Sequence, residues 1–349
     1  MKNISKKAAL LAAVLMIFCI TGCGDNAGGT PTPTPTPAEP QFVAQETPLT
    51  LEAIAAGEIT LTNPWSTLKY MKNGGDFVSV TASANTIAVA AGDKVEFYAD
   101  GSENTYSTYL KIECSADCYV YGNVMSLLSS SDFKNDTSIP DTTEYTFAGL
   151  FSGNTHIKNH ATKNLVLPAT ELADGCYNSM FEGCTGLTSA PELPATTLTY
   201  FCYENMFQGC TGLTSAPALP AETLEEWCYA SMFRGCTGLT NAPELPATSM
   251  WDACYDSMFR GCTGLTIAPT LPATELVAGC YSNMFNGCSS LNSVTCLATY
   301  ISTASCTSSW LDGVASTGTF KKAASMDDWT TNSVSGIPTG WTVQNYTAH

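Results

Sequence analysis

Histidine, cysteine and acidic side chains are the groups in this 349-residue chain that could do chemistry. Two of the three histidines, His156 and His160, stand four residues apart. On a helix this spacing would place both imidazoles on one face, where they could bind a metal ion. The residues between them lack the glutamate that the zinc-protease motif requires. We therefore interpret both as loop histidines and expect no metal site.

The motifs that accompany covalent or phosphate chemistry do not occur in the sequence. It has no G-x-S-x-G nucleophile elbow, no phosphate-binding loop and no dinucleotide fingerprint. Acidic residues are numerous, but no spacing marks two of them as a glycosidase pair, although carboxylates distant in sequence could still meet in space. The sequence thus predicts a protein that is not an enzyme and that needs no cofactor.

Ten of the 16 cysteines form five pairs, each with a separation of eight residues, and the pairs recur every 26 residues. Free cysteine packs as a small buried hydrophobe, so the pattern predicts two columns of core thiols. Zinc is disfavoured because no C-x-x-C or cysteine–histidine cluster occurs. Disulfides between neighbouring repeats remain an alternative, since an exported protein can form them. The pairs are Cys176/Cys184, Cys202/Cys210, Cys228/Cys236, Cys254/Cys262 and Cys280/Cys288.

Four cysteines outside these columns are candidates for disulfides. Cys114 and Cys118 flank a three-residue turn, which would suit a disulfide across a hairpin. Cys296 and Cys306 lie at the end of the repeats, where a disulfide could close a terminal cap.

The elements that must position these residues come from the 26-residue repeat, of which five uninterrupted copies fill residues 167–296. A fixed period of this length is typical of a stacked array. In the first copy, Thr170 can N-cap a helix over 171–182, and Gly183 can end it. A short extended segment then leads to Leu193. The sequence predicts an α/β leucine-rich-repeat solenoid with one helix and one short strand in each repeat.

The regions beside the repeats have different patterns. We expect an N-terminal cap of the solenoid over residues 126–166, and a degenerate sixth repeat with a C-terminal cap over 297–349. Residues 47–125 contain about eight short strand-like runs separated by turn residues, which indicates a small all-β, sandwich-like domain.

The first 46 residues have the pattern of an export and anchoring segment. Residues 1–22 combine three lysines with an apolar run that is too short to span a bilayer, as in a signal peptide. Cys23 follows small residues at the end of this run, which resembles the bacterial lipobox and implies a lipid on its thiol. Residues 23–46 include a Thr-Pro run and are predicted to be an extended tether.

These features predict a protein of the cell envelope that is anchored by lipid alone and exposed at the surface, on the outer membrane if the organism has one. The formal net charge is −17, and removal of the three signal lysines leaves 11 basic against 31 acidic residues, a difference of −20. This balance argues against nucleic acid as a partner.

The repeats differ most at their seventh to ninth positions, where the middle copies carry Tyr200, Phe201, Trp227 and Trp251. Aromatic side chains are over-represented at binding hot spots, so these four form the candidate binding surface. The alternative is that they pack between adjacent helices of the array. A second variable set, which includes Arg234, is interpreted as solvated.

The segment C-Y-x-x-M-F-x-G-C-T-x-L followed by A-P-x-L-P-A-T resembles the BspA-like leucine-rich repeats of bacterial surface lipoproteins, over residues 167–313. The resemblance implies surface display and, as in some members, binding of host matrix proteins such as fibronectin and fibrinogen. We therefore expect a non-catalytic adhesion module that binds a host matrix protein or another surface protein on the repeats. The alternative is a carbohydrate-binding lipoprotein of a glycan uptake system, which would use Trp65, Tyr70, Phe77 and Tyr98 of the β domain. A purely structural spacer is a third hypothesis.

Overall fold

The computed structural model describes residues 46–301, 303, 305–331 and 334–347. The predicted signal peptide, the lipid site at Cys23 and nearly all of the tether lie outside the described residues. No helix in these ranges has the length and apolar character needed to cross a membrane.

Residues 50–123 form two facing antiparallel sheets, in which alternate side chains point into a shared core. The buried positions of β2 and β6, such as Ile59, Leu61, Val95 and Phe97, alternate with more exposed ones, as expected for strands covered on one face. One sheet has the order β5-β2-β7, and the other contains β8-β1-β6-β3-β4. The strands are β1 Thr50–Ala53, β2 Gly57–Thr62, β3 Lys69–Lys72, β4 Phe77–Ser79, β5 Thr86–Val89, β6 Lys94–Tyr98, β7 Lys111–Cys114 and β8 Cys118–Asn123.

Strand β8 belongs to this β module and also pairs with the segment that precedes the repeats. It pairs antiparallel with β1 and parallel with two short strands, β9 (Ile157–Asn159) and β10 (Leu165–Val166). A 3-10 turn, Val124–Leu127, follows it. The module and the segment that precedes the repeats are therefore joined by backbone hydrogen bonds as well as by the chain.

The predicted helix at residues 171–182 is wrong, and so is the α/β leucine-rich-repeat fold class with its helix in every repeat. The described residues contain no α-helix, and the corresponding segment is a series of overlapping turns. The N–H groups of Asn178 and Met180 donate to carbonyls three residues earlier, while those of Tyr177 and Ser179 donate to the next repeat. Half of the amides are thus unavailable for the i to i−4 bonds of a helix.

Backbone dihedrals explain why these turns do not become a helix. Gly175, Ser179 and Gly183 have φ angles of 61°, 53° and 72°, so every fourth residue is left-handed. A right-handed helix cannot continue through such residues. We call one repeat in this form a coil, and its segment equivalent to 173–184 the turn ribbon.

The predicted short strand in each repeat is also wrong for most of the array. The earlier coils show only isolated parallel bridges on this side, such as Ser189 to Ser215 and Ser215 to Asn241. The prolines of each copy lack the N–H that a ladder needs. A continuous parallel sheet begins only at the fourth coil and comprises β11 Ile267–Leu271, β12 Ser293–Cys296, β13 Gly318–Lys322 and β14 Trp341–Asn345.

The core of the array consists of columns of identical side chains at a spacing of one coil. Rings of the phenylalanine column from Phe181 to Phe285 stack at 5.4–5.7 Å, and those of the tyrosine column from Tyr177 to Tyr281 at 5.7–6.1 Å. The ten repeat cysteines are fully buried, so the prediction of core cysteine columns is confirmed. Beyond the last coil, Trp310 stacks on Tyr281 and covers the end of the column.

Candidate binding face of the coil array

The four aromatic residues proposed from the sequence lie at neighbouring positions of three successive turn ribbons, and each is at least partly exposed. We call Tyr200, Phe201, Trp227 and Trp251 the aromatic strip. Tyr200 and Trp251 are 42% and 54% exposed, whereas Phe201 and Trp227 are half-buried. The N–H of Phe201 bonds to the carbonyl of Glu226, and the rings of Phe201 and Trp227 stack at 6.5 Å. The strip joins the second, third and fourth coils, and the surface under it is a turn ribbon instead of a helical face.

Two residues of the strip have a backbone conformation that bulky side chains disfavour. Phe201 and Trp227 have φ angles of 56° and 58°, in the left-handed region. The same position is Gly175 in the first coil, Ala253 with φ 53° in the fourth and Gly279 in the fifth, so the fold does not need a large side chain there. A side chain in this conformation costs about 1 kcal/mol per residue. Strain of this kind, at positions where the fold does not require a side chain, points to a functional role for the two rings.

A groove of about 350 Å³ opens beside Tyr200. Its floor includes Leu198, which is buried, and its rim carries three carboxylates. The side chain of Asp174 accepts a hydrogen bond from the backbone N–H of Tyr200 at 3.2 Å, which ties the groove to the strip. We call this the acidic groove, and it is lined by Asp141, Asp174, Leu198, Thr199, Tyr200 and Glu225.

Negative charge dominates this face. Residues 167–296 contain 12 acidic residues and only two basic ones, Arg234 and Arg260, a balance of −10. Among the described residues, no ion pair involves a carboxylate of the acidic groove. Glu204, three residues after Phe201 in the second coil, accepts a hydrogen bond from Asn178, and burial raises the pKa of its carboxyl. The face therefore attracts cations and repels anions.

Sequence reasoning missed the acidic groove. Asp174 and Glu225 occupy the variable eighth and seventh positions of their repeats, at which only aromatic residues were proposed, and Asp141 lies before the repeats, where no periodicity relates it to them. The available signal was the charge balance of the repeats, which is far more acidic than a mixed surface requires.

The two histidines do not converge. His156 Nδ1 lies 3.0 Å from a carboxylate oxygen of Asp117, whereas His160 Nδ1 accepts the backbone N–H groups of Thr162 and Lys163. Over the ranges that the structure covers, no three His, Cys, Asp or Glu side chains are grouped closely enough to hold a metal ion.

The candidate disulfide cysteines are all buried, and the structure records them as free thiols. The expected hairpin is absent, because β7 and β8 belong to different sheets, but Cys114 and Cys118 are in hydrogen-bonding contact across the turn between them, and this contact lowers the pKa of Cys114 and raises that of Cys118. The thiol of Cys306 donates to the carbonyl of Ile301 at 3.3 Å. The disulfides Cys114–Cys118 and Cys296–Cys306 stay predictions.

The aromatic residues proposed for glycan binding do not form one surface. Trp65 is buried in the core of the β module and donates from Nε1 to Asn104. Tyr70 packs against the core, whereas Phe77 is 52% exposed and lies 5.2 Å from the ring of Tyr98. Tyr98 is half-buried against the core like Tyr70, so Phe77 is the exposed ring of this set.

The chain matches no family model, no curated protein and no solved structure. Its function must therefore be argued from the side chains, backbone conformation and charge of the face itself.

Proposed function

We propose that this chain is a non-catalytic binding protein that holds a protein partner on the aromatic strip. The observation that carries the proposal is the stacked pair Phe201 and Trp227, which keeps a left-handed backbone at a position where the other three coils have glycine or alanine. Large, rigid rings bury much area with little loss of conformational entropy, and for this reason they dominate protein interfaces.

The stack suits such a role because it holds side chains of successive coils at a fixed spacing. The strip spans three coils whose turn ribbons are bonded to one another through backbone amides. Its geometry is therefore set before a partner arrives, which reduces the entropic cost of association.

The sequence of residues 1–23 supports a location at the cell envelope with a lipid on Cys23, and the BspA-like pattern of the repeats supports surface display. On this basis we propose a matrix protein or another surface protein as the partner. This placement rests on sequence alone, since residues 1–45 lie outside the described ranges.

The test is a binding screen of the chain from residue 24 onward against immobilised fibronectin, fibrinogen and other matrix proteins. We expect Trp251→Ala and Tyr200→Ala each to weaken binding about tenfold, as for an interface hot spot. Tyr300→Ala is the matched control, because Tyr300 is 57% exposed but lies outside the strip. Absence of any partner, or equal affinity of the strip variants and the control, would contradict the proposal and favour a structural spacer.

A second candidate, glycan binding by the β module, is supported by the exposed ring of Phe77, which lies edge-on to the half-buried Tyr98, since rings on a sheet face can stack on sugars. A glycan array with the same protein and with Phe77→Ala tests it. Binding that the variant loses supports the candidate, and an array without any signal removes it.

A further inference from the structure

The acidic groove lies where a partner on the aromatic strip would extend over neighbouring coils. Asp174 belongs to the first coil, Leu198 and Tyr200 to the second and Glu225 to the third, while Asp141 comes from the segment before the repeats. A volume of about 350 Å³ is large enough for one or two extended side chains, not for a folded element. The groove and the strip share Tyr200, so an occupant of one contacts the other.

The charges of the groove lack a counterpart within the described part of the protein. The seven ion pairs recorded there all lie elsewhere, and the two arginines of the coils occupy a different position of the repeat. A bound metal ion does not explain these carboxylates, because among the described residues they do not come close enough together to ligate one. A partner that brings positive charge would neutralise them.

We propose that the partner inserts a lysine- or arginine-bearing segment into the acidic groove, an inference that rests on the proposed function. Such a side chain has an apolar stem, which packs on Leu198, and a cationic end, which reaches Asp174 and Glu225. The exposed ring of Tyr200 adds a cation–π contact, for which a cation must lie within about 6 Å of the ring centre. The apolar floor, the aromatic wall and the acidic rim of the groove match the three parts of this side chain.

The probe for this inference is a fluorescein-labelled octapeptide of alternating lysine and glycine, compared with the same peptide carrying glutamate. Fluorescence anisotropy measures its binding to the chain from residue 24 onward. We expect the double variant Asp174→Asn/Glu225→Gln to weaken binding about tenfold through the loss of charge-assisted contacts. The matched control, Glu192→Gln/Glu244→Gln, removes the same charge from exposed positions of the repeats outside the groove and is expected to change binding less than twofold.

Equal losses in the two double variants would overturn the inference, because they would show attraction to the net charge alone. The partner from the matrix screen separates this result from the proposed function. A partner that needs Trp251 but binds the groove variant unchanged leaves the function standing and refutes the cationic segment. A partner weakened by both changes supports both proposals.

Discussion

The buried thiols of the coils predict that the array unfolds in mild alkali. Burial raises the pKa of all ten repeat cysteines, to about 12 at Cys202 and Cys210. The second cysteine of each coil also donates its S–H to a phenylalanine carbonyl, which belongs to the preceding coil in the second to fifth coils, for example Cys236 to Phe207 at 3.0 Å, and to Phe151 in the first. A thiolate could not make this bond, so the array requires protonated thiols.

The direction of the effect follows from proton binding. In the unfolded chain a cysteine has a pKa of about 8.5. Because the folded pKa values are higher, the native state keeps protons that the unfolded chain releases. The contribution of these thiols to the free energy of unfolding is therefore fully present below about pH 8.5 and falls as the pH rises above it.

The magnitude is large because every coil carries two thiols. At pH 9.5, one unit above the unfolded pKa, each thiol removes about 1.4 kcal/mol from the free energy of unfolding, and each coil loses about 2.8 kcal/mol. A 26-residue coil with an ordinary share of stability contributes about 1.3 to 3.9 kcal/mol. We therefore expect the coils to unfold between about pH 9 and pH 10.

Urea unfolding at pH 7.5, 8.5 and 9.5, with a phosphine reductant and detection by near-UV circular dichroism, measures this loss. The variant Cys228→Ala/Cys236→Ala lowers the number of titrating repeat thiols from ten to eight. The pH-dependent part of its loss should be about one fifth smaller, whatever its stability at pH 7.5. A free energy of unfolding that is the same at pH 7.5 and 9.5 would refute the reasoning and indicate thiols that are exposed or joined as disulfides.

Three substitutions test the packing of the fold. Gly235→Ala places a side chain at φ 73°, with its Cβ in ordinary contact 3.8 Å from Gly209. We therefore expect the free energy of unfolding to fall by about 1 kcal/mol from backbone strain alone. The control Thr240→Ala, at an exposed position of the same coil, should leave the melting temperature unchanged. Gly122→Ala would bring a Cβ to 1.9 Å from the carbonyl oxygen of Pro48. We expect it to reduce the free energy of unfolding by about 1–3 kcal/mol, with a lower melting temperature and faster hydrogen exchange in β8. Trp310→Ala removes a fully buried ring between Tyr281 and Trp329 and should cost about 3–5 kcal/mol, measured by urea unfolding. A wild-type melting temperature for either glycine variant, or a wild-type free energy of unfolding in urea for Trp310→Ala, would contradict these packing arguments.

The sequence predicts the period of the array and the identity of its buried residues better than the form of its backbone. In the turn ribbon, Cys176, Met180 and Cys184 recur every fourth residue, as do Tyr177 and Phe181. Over a dozen residues, a period of 4 and the helical period of 3.6 give nearly the same apolar pattern. The helix was therefore the wrong choice between two structures that bury the same side chains.

The signals that could have excluded a helix were ambiguous one residue at a time. Gly183 fits a helix C-terminus as well as a left-handed turn, and Ser179 has no special preference that reveals φ 53°. The decisive feature is that backbone amides bond between coils, and a contact between residues about 25 positions apart has no local signature.

The candidate site was predictable in part. Its aromatic residues stood out because they interrupt the repeat consensus, and in the structure all four are at least partly exposed on three successive turn ribbons. The acidic groove was not predictable, since it depends on Asp141, which comes from outside the repeats and meets them only in the folded chain.

The amide bonds between turn ribbons all lie along the axis of the array, each from one coil to the next. If the protein is held at its N-terminal end and pulled at the other, its coils would therefore detach one after another, beginning at the pulled end. Each coil that detaches releases 26 residues, or about 90 Å of extended chain at roughly 3.4 Å per residue. An array of this design yields in steps of equal length under flow or traction, so it can lengthen at its far end while the coils that carry the strip stay folded.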